Sequence, residues 1–229
     1  MPRTSCLECK VIGVVTGLQA EAKIVHGLPC LAISGGGRAE ATRRKIDGLI
    51  EAGAEGLISF GIAGAADPAL KTGDVVVSAT VIDGEGRRYV GNPVWLEQVL
   101  SRLPGSHPGH LYGSDHMVSA VADKARILKQ HACIAVDMES HHTARAATRY
   151  QLPFIVIRAV ADTASEQLPE ALAAGVDAEG RTQAWPIITA LLTGRLGFGV
   201  VMRAGRSSSR ALASLRQCRP ALVQLLSES

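Results

Sequence analysis

The stretch from Cys133 to Ala164, CIAVDMESHHTARAATRYQLPFIVIRAVADTA, constrains the fold more than any other part of the chain. Ile134 to Val136 is a short apolar run that reads as a buried strand, and Met138-Glu139 follows it directly. Ser140 to Tyr150 is rich in alanine, with Arg145 and Arg149 toward its end, where cations complement a helix dipole. Pro153 ends that helix, and Phe154 to Val160 is apolar enough for a strand covered on both faces, with Asp162 just past it. A strand, helix and strand in this order are expected to run parallel. Glu139 and Asp162 would then sit at their carboxyl ends, the edge where open α/β sheets bind ligands.

The rest of the chain continues the alternation. Val11 to Val15 reads as a strand, followed by the turn Thr16-Gly17-Leu18 and a helix from Gln19 through His26 with Glu21 in its first turn. Cys30 to Ser34 is a second strand. Gly35-Gly36-Gly37 then leads into a helix from Arg38 to Ala52, and three glycines before a helix let backbone N–H groups approach an anion. Gly56 to Phe60 is a third strand that enters the glycine-rich turn of GIAGAADPALKTGDVVV. Further helices are expected over Pro93 to Leu103, Ala120 to Gln130, Pro169 to Ala174 and Trp185 to Leu192, with a loop over Ser106 to Gly113. Strands alternating with helices predict an α/β sheet. None of the glycine-rich turns has dinucleotide-binding or Walker spacing. Asp115 beside His116 is a candidate site pair that is more often structural.

A chain of 229 residues with 47% hydrophobic content can bury one substantial core. Aromatic content of 3% removes the stacking platforms of a single-strand nucleic-acid binder, and a net charge of +3 does not argue for nucleic acid. The charge is uneven. From Gly194 onward there are six arginines against Glu228 alone, so this tail is about +5 and the remainder about −2. Apolar residues among those arginines (Leu196, Phe198, Val200, Val201, Met202) fit either a basic helix packed on its own domain or a peripheral membrane patch. Residues 1–193 are expected as the main domain and 194–229 as a basic, partly apolar extension. No apolar run approaches the roughly 18 residues of a membrane span, and MPRTSCLECK lacks a secretory core, so a cytoplasmic protein is expected, with peripheral contact to the inner membrane face through the tail. Five cysteines suit reduced thiols, and the pair Cys6 and Cys9 lacks a second pair at zinc-ligand spacing; no metal site is expected.

The segments SFGIAGAADPALKTGDVVV, AVDMES and VIRAVADTA occur in the order and separations of the nucleoside phosphorylase and nucleosidase superfamily, which the chain resembles over residues 11 to about 192. VIGVVTGLQAEAKIV, SGGGRAEA, AVDMESHHTARAA and the arginine-rich tail are most similar to its hopanoid-biosynthesis branch, acting on adenosylhopane. The resemblance implies a single α/β domain with a mixed, twisted central sheet flanked by helices, assembled as a homo-oligomer. It implies that Glu139 accepts hydrogen bonds from ribose hydroxyls with Met138 against the sugar, that Asp162 protonates or hydrogen-bonds N7 of the purine, and that Glu21 positions an attacking water. Ile62, Ala63 and Gly64 would line the sugar and base, with Gly36, Arg38 and Val118 as further substrate-binding positions.

Chemistry fits this division. Breaking an N-glycosidic bond develops an oxocarbenium-like sugar, and adenine leaves poorly without a proton, so one carboxyl should stay neutral as an acid and another charged beside the sugar. Asp162 is expected in the first state and Glu139 in the second. Glu21 and Ser59 stand where hexameric phosphorylases of the family carry phosphate-binding arginines, which favours water over phosphate as acceptor, although Arg38 after three glycines keeps phosphate open as co-substrate. The implied reaction is adenine release from a nucleoside with an apolar 5′ substituent. The alternatives are a methylthioadenosine/adenosylhomocysteine nucleosidase, a purine nucleoside phosphorylase, or a noncatalytic nucleoside sensor; no other cofactor is expected.

Overall fold

The computed structural model describes residues 10–36, 39–169 and 197–228. In chain order these form β1 (Ile12–Thr16), α1 (Gln19–Val25), β2 (Cys30–Ser34), α2 (Ala39–Glu51), β3 (Gly56–Ala65), β4 (Val75–Ser78), β5 (Thr80–Asp83) and β6 (Arg88–Val90). There follow α3 (Pro93–Arg102), β7 (His107–Pro108), β8 (His110–Gly113), α4 (Val121–His131), β9 (Cys133–Asp137), α5 (Ser140–Tyr150), β10 (Phe154–Asp162), α6 (Phe198–Gln217) and α7 (Arg219–Glu228). Local chemistry sets several boundaries. Asn92 starts α3 by accepting from the N–H groups of Val94 and Trp95 at 2.9 and 3.1 Å, ahead of a proline that needs no partner. The helices expected at Pro169 to Ala174 and Trp185 to Leu192 lie, except for Pro169 itself, outside the described residues, as do Cys6 and Cys9.

The strands make one mixed sheet in the order β6-β5-β8-β9-β3-β10-β4-β7, with β1 also on β3 and β2 on β1. Side chains alternate between its two faces. On one face, Ile155, Ile157 and Ala159 of β10 join Ile12, Val14, Ile58 and Phe60 beneath α1, α3, α6 and α7. On the other, Phe154, Val156 and Val160 join Leu57 beneath Ile46 and Leu49 of α2 and Ala144 and Ala147 of α5. The result is the α/β domain with a mixed central sheet and flanking helices that the alternation predicts.

Three expectations are corrected. First, β9 and β10 are not parallel: β10 runs parallel to β3, while β9 runs antiparallel to it. Val136 lies opposite Gly64 and Ala135 opposite Ala65, so the chain beyond Val136 heads back along β3 toward its middle. Second, Gly61 to Ala65 is not a turn but the continuation of β3. Third, residues 107–113 are not loop but β7 and β8, paired to β4 and to β5 and β9. Short polar strands rich in His, Pro and Gly carry little periodic signal of their own.

The boundary expected between residues 193 and 194 lies outside the described residues. Beyond it, Ala211, Leu215, Cys218, Leu222, Leu225 and Leu226 are buried in the same core as β1, β3 and β10. Arg219 donates to the carbonyls of Ile24 and His26 at the end of α1, where a cation also meets the negative end of the helix dipole. Arg102 and Glu228 pair at 2.7 Å between α3 and α7. The second half of this segment therefore packs as a basic helix on its own domain, and the first half leaves Val200 and Met202 exposed. No helix among the described residues is long and apolar enough to cross a membrane.

Candidate active site

Strand β10 is buried along its whole length, and in its middle stands Arg158, fully buried. An isolated guanidinium there would be untenable, because a buried charge requires paired partners. The antiparallel return of β9 provides them. Arg158 Nη2 meets Asp137 Oδ2 and lies 3.6 Å from Glu139 Oε2, and it donates to Ser59 Oγ at 2.7 Å from the neighbouring strand. Asp137 is fixed in turn by the backbone N–H of Ser140 at 2.9 Å and by the Ser140 hydroxyl at 2.5 Å, both in the first turn of α5. Arg158 Nε and Nη1 have no hydrogen-bond partner among the described residues.

Glu21 reaches the same cluster from α1. Its Oε2 accepts from Gly17 N and Leu18 N, and its Oε1 from Ile62 N, each at 2.8 Å. A carboxylate has about four acceptor sites, so Oε1 keeps one lone pair for a further donor. Glycines permit the convergence. A Cβ on Gly61 would fall 2.2 Å from Arg158 Nη1 and 2.8 Å from both Glu21 oxygens, and one on Gly17 would fall 2.7 Å from Glu139 Oε1. The glycine-rich motif thus serves close approach of charged side chains to a strand rather than turning.

Burial raises the pKa of Glu21, against the opposing pull of Arg158 and three backbone N–H groups. Glu139 is pushed up to about 8 by burial, with Asp137 and Glu21 adding to the rise and Arg158 opposing it. Burial thus works against the charged state expected for Glu139 in the protein alone, and Arg158 works for it.

Asp162 ends β10 beyond a register irregularity, opposite Gly64, whose Cβ would sit 2.8 Å from its Oδ2. It is 9% exposed and meets Lys124 Nζ, a fully buried ammonium from α4 that also donates to the carbonyls of Thr163 and Glu166 at 2.9 Å. Burial raises the Asp162 pKa and Lys124 works against that rise. Asp162 stands four positions beyond Arg158, about 13 Å along β10. Glu21 and Glu139 thus both lie about Arg158, while Asp162 stands apart at the strand end.

Among the other expected positions, Ile62 binds Glu21 through its N–H, Ala63 is buried, Gly64 backs Asp162, and Met138 is half-buried between Asp137 and Glu139. Gly36 donates its N–H to Gly17 O at 2.9 Å, in the left-handed conformation (φ 75°) that glycine tolerates. Val118 is half-buried against the small cluster that contains Ile82, Ile127 and Val136. Arg38 lies outside the described residues. His116 is exposed; Asp115 turns instead to His141 and His142. Sequence reasoning missed Arg158, Asp137 and Lys124. A lone arginine within FIVIRAVAD was a legible signal, because nothing else in that strand interrupts the apolar run. Lys124 on an ordinary amphipathic helix offered none.

Residues 19–193 match the phosphorylase superfamily. The chain is 26% identical over 164 residues to a 5′-methylthioadenosine/S-adenosylhomocysteine nucleosidase of Staphylococcus epidermidis, covering 62% of this chain and 72% of that one. In fold it is similar to the Campylobacter jejuni 5′-methylthioadenosine/S-adenosylhomocysteine nucleosidase (TM-score 0.70, 14% identity, 96% of this chain and 100% of that one). It is also similar to the futalosine hydrolase of Helicobacter pylori (TM-score 0.70, 12% identity, 94% and 98%). Fold and relatives place the chain in the class of enzymes that cleave N-glycosidic bonds, the nucleosidases and nucleoside phosphorylases. The chain belongs to the phosphorylase superfamily.

Proposed function

We propose that this chain hydrolyses the N-glycosidic bond of an adenine nucleoside with an apolar 5′ substituent, of the adenosylhopane kind, and releases adenine. The observation that carries this reading is the buried meeting of Glu21, Glu139 and Arg158, with two guanidinium nitrogens unpartnered. Water bound there would accept from Arg158 and donate to Glu21 Oε1 and to Glu139. As it attacks the anomeric carbon, the bond from that carbon to the base breaks, the water's proton passes to a carboxylate of the cluster, and Asp162 gives its proton to the base nitrogen. Glu139, which gives up its proton to solvent when the sugar hydroxyls donate to it on binding, stabilises the cationic character of the sugar at short range. Proton exchange with solvent after release restores both acids.

The same cluster supports water over phosphate. Asp137, Glu139 and Glu21 surround one arginine, so a phosphate dianion placed among them would face carboxyl oxygens on most sides and a single cation. For the apolar substituent, support comes from Ile62 at the expected sugar wall, and from exposed Val200 and Met202 beside Arg203 and Arg206 on α6, a surface suited to anionic lipid. A second reading, hydrolysis of methylthioadenosine or adenosylhomocysteine, is favoured by the Staphylococcus relative.

The test follows adenine release by chromatography from methylthioadenosine, adenosylhomocysteine and a long-alkyl 5′-adenosine, with and without phosphate. Hydrolysis predicts free ribose-derived sugar and no phosphate dependence. A sugar 1-phosphate product would overturn it, faster turnover of methylthioadenosine than of the alkyl substrate would establish the second reading, and no adenine from any substrate would overturn both.

A further inference from the structure

In the first turn of α5, just beyond Glu139, two consecutive histidines are buried on the helix, His141 at 3% and His142 at 2% exposure. Consecutive helix residues point about 100° apart, yet these rings converge to a centroid separation of 3.8 Å. Both aim Nε2 at one oxygen: Asp115 Oδ1 lies 2.9 Å from His141 Nε2 and 3.1 Å from His142 Nε2. Only the first contact has hydrogen-bond geometry, and His142 Nε2 is a buried nitrogen without a hydrogen-bond partner among the described residues. Asp115 is half-exposed, on the segment between β8 and α4, so the side of the cluster that it forms is open to solvent.

We propose that Asp115, His141 and His142 form a binding site for a first-row divalent cation of the zinc class. The spacing suits it. Ligand atoms about 2.1 Å from a common ion stand about 3.0–3.4 Å apart in octahedral or tetrahedral arrangement, close to the two distances here. Two imidazoles and one carboxylate are a donor set for zinc, cobalt, nickel or iron, whereas magnesium and calcium want oxygen throughout. Three protein ligands leave a further position for water. Ligation takes the neutral form of both imidazoles.

Arg43 is the opposing group. Its Nη2 lies 3.6 Å from the far carboxylate oxygen, Oδ2, and its Nε donates to His142 Nδ1 at 3.5 Å. A cation on Nε2 moves the imidazole proton to Nδ1, so this long contact must open, with Arg43, half-exposed, keeping its pairing to the far carboxylate oxygen. A bound ion would tie the β8–α4 segment, which carries Val118, to the first turn of α5, two residues beyond Glu139. The site is independent of the reaction proposed above.

The experiment uses the tag-free, metal-stripped full chain, titrated with Co2+ by visible absorption and with Zn2+ in competition, Mg2+ serving as control. One Co2+ per chain, displaced by Zn2+ and indifferent to Mg2+, is the expected result. Asp115→Asn changes a half-exposed side chain without altering its shape and should weaken binding at least about 100-fold, since even partners one shell further out are worth about 10–100-fold. His142→Gln should do the same. If His142→Gln does not fold by circular dichroism, Asp115→Asn decides. No stoichiometric Co2+ uptake by the wild-type chain, or unchanged uptake by Asp115→Asn, overturns the site.

Discussion

Replacing Arg158 with methionine removes the one cation that pairs with Asp137 and Glu139 among the described residues and leaves packing volume nearly intact. Stripping one partner from a buried ion pair costs about 3–5 kcal/mol because the remaining charge is stranded. Here the stranded carboxyls have an escape, which is to stay protonated. Glu139 is already raised with Arg158 in place, so the added cost falls on Asp137: keeping it neutral in the variant costs about 1.4 kcal/mol per pH unit above an unfolded aspartate pKa of about 3.9, hence about 5–6 kcal/mol at pH 8 and about 1–2 at pH 5. The sign is that of any acid raised on folding: its contribution is intact below the unfolded pKa and lost as pH rises toward the folded one. Adding about 1 kcal/mol for the lost Ser59 contact, Arg158→Met should lose about 6–7 kcal/mol at pH 8 and about 2–3 at pH 5. Urea unfolding at both pH values measures this, with Arg158→Lys as the control that keeps the charge and should lose less at pH 8. An equal loss at the two pH values, or less than about 1 kcal/mol at pH 8, would refute the account of a cation holding buried acids.

Glycine substitutions separate close approach from mere flexibility: Gly61→Ala, whose Cβ would collide with Arg158 and Glu21, should cost about 2–4 kcal/mol, while Gly48→Ala, exposed within α2, should gain about 0.5–1 kcal/mol in thermal unfolding. In the wild-type protein the raised Glu21, Glu139 and Asp162 should make chemical-denaturation stability fall between about pH 5 and 8; Asp83 and Asp115, lowered by their partners, act only below about pH 4, so a rise across the upper window would contradict the burial argument. Asp162→Asn should reduce turnover about 100-fold or more with little change in substrate affinity, and equal loss of both would contradict a proton-donor role. Co-sedimentation with anionic vesicles should fall when Arg203 and Arg206 are both changed to Ser, and unchanged sedimentation would remove the case for membrane contact through α6.

The alternation of apolar runs with helical segments, and the placing of acids at strand ends, were determined by sequence alone, because both are local: a period of two or of 3.6 is written in neighbouring residues. Hence β1, α1, β2, α3, α5 and β10 fall within a residue or two of where their patterns put them. Strand direction and partnership are not local, since an apolar pentapeptide such as Cys133–Asp137 reads identically in either sense. Only the tertiary structure turned β9 against β3, and that reversal brings Asp137 and Glu139 to Arg158 in the middle of β10 instead of leaving two acids on one parallel edge. The same holds for charge. Sequence supplied Glu21, Glu139 and Asp162 as acids, but desolvation and the identity of the nearest cation, Arg158 for two of them and Lys124 for the third, decide which carboxyl keeps its proton.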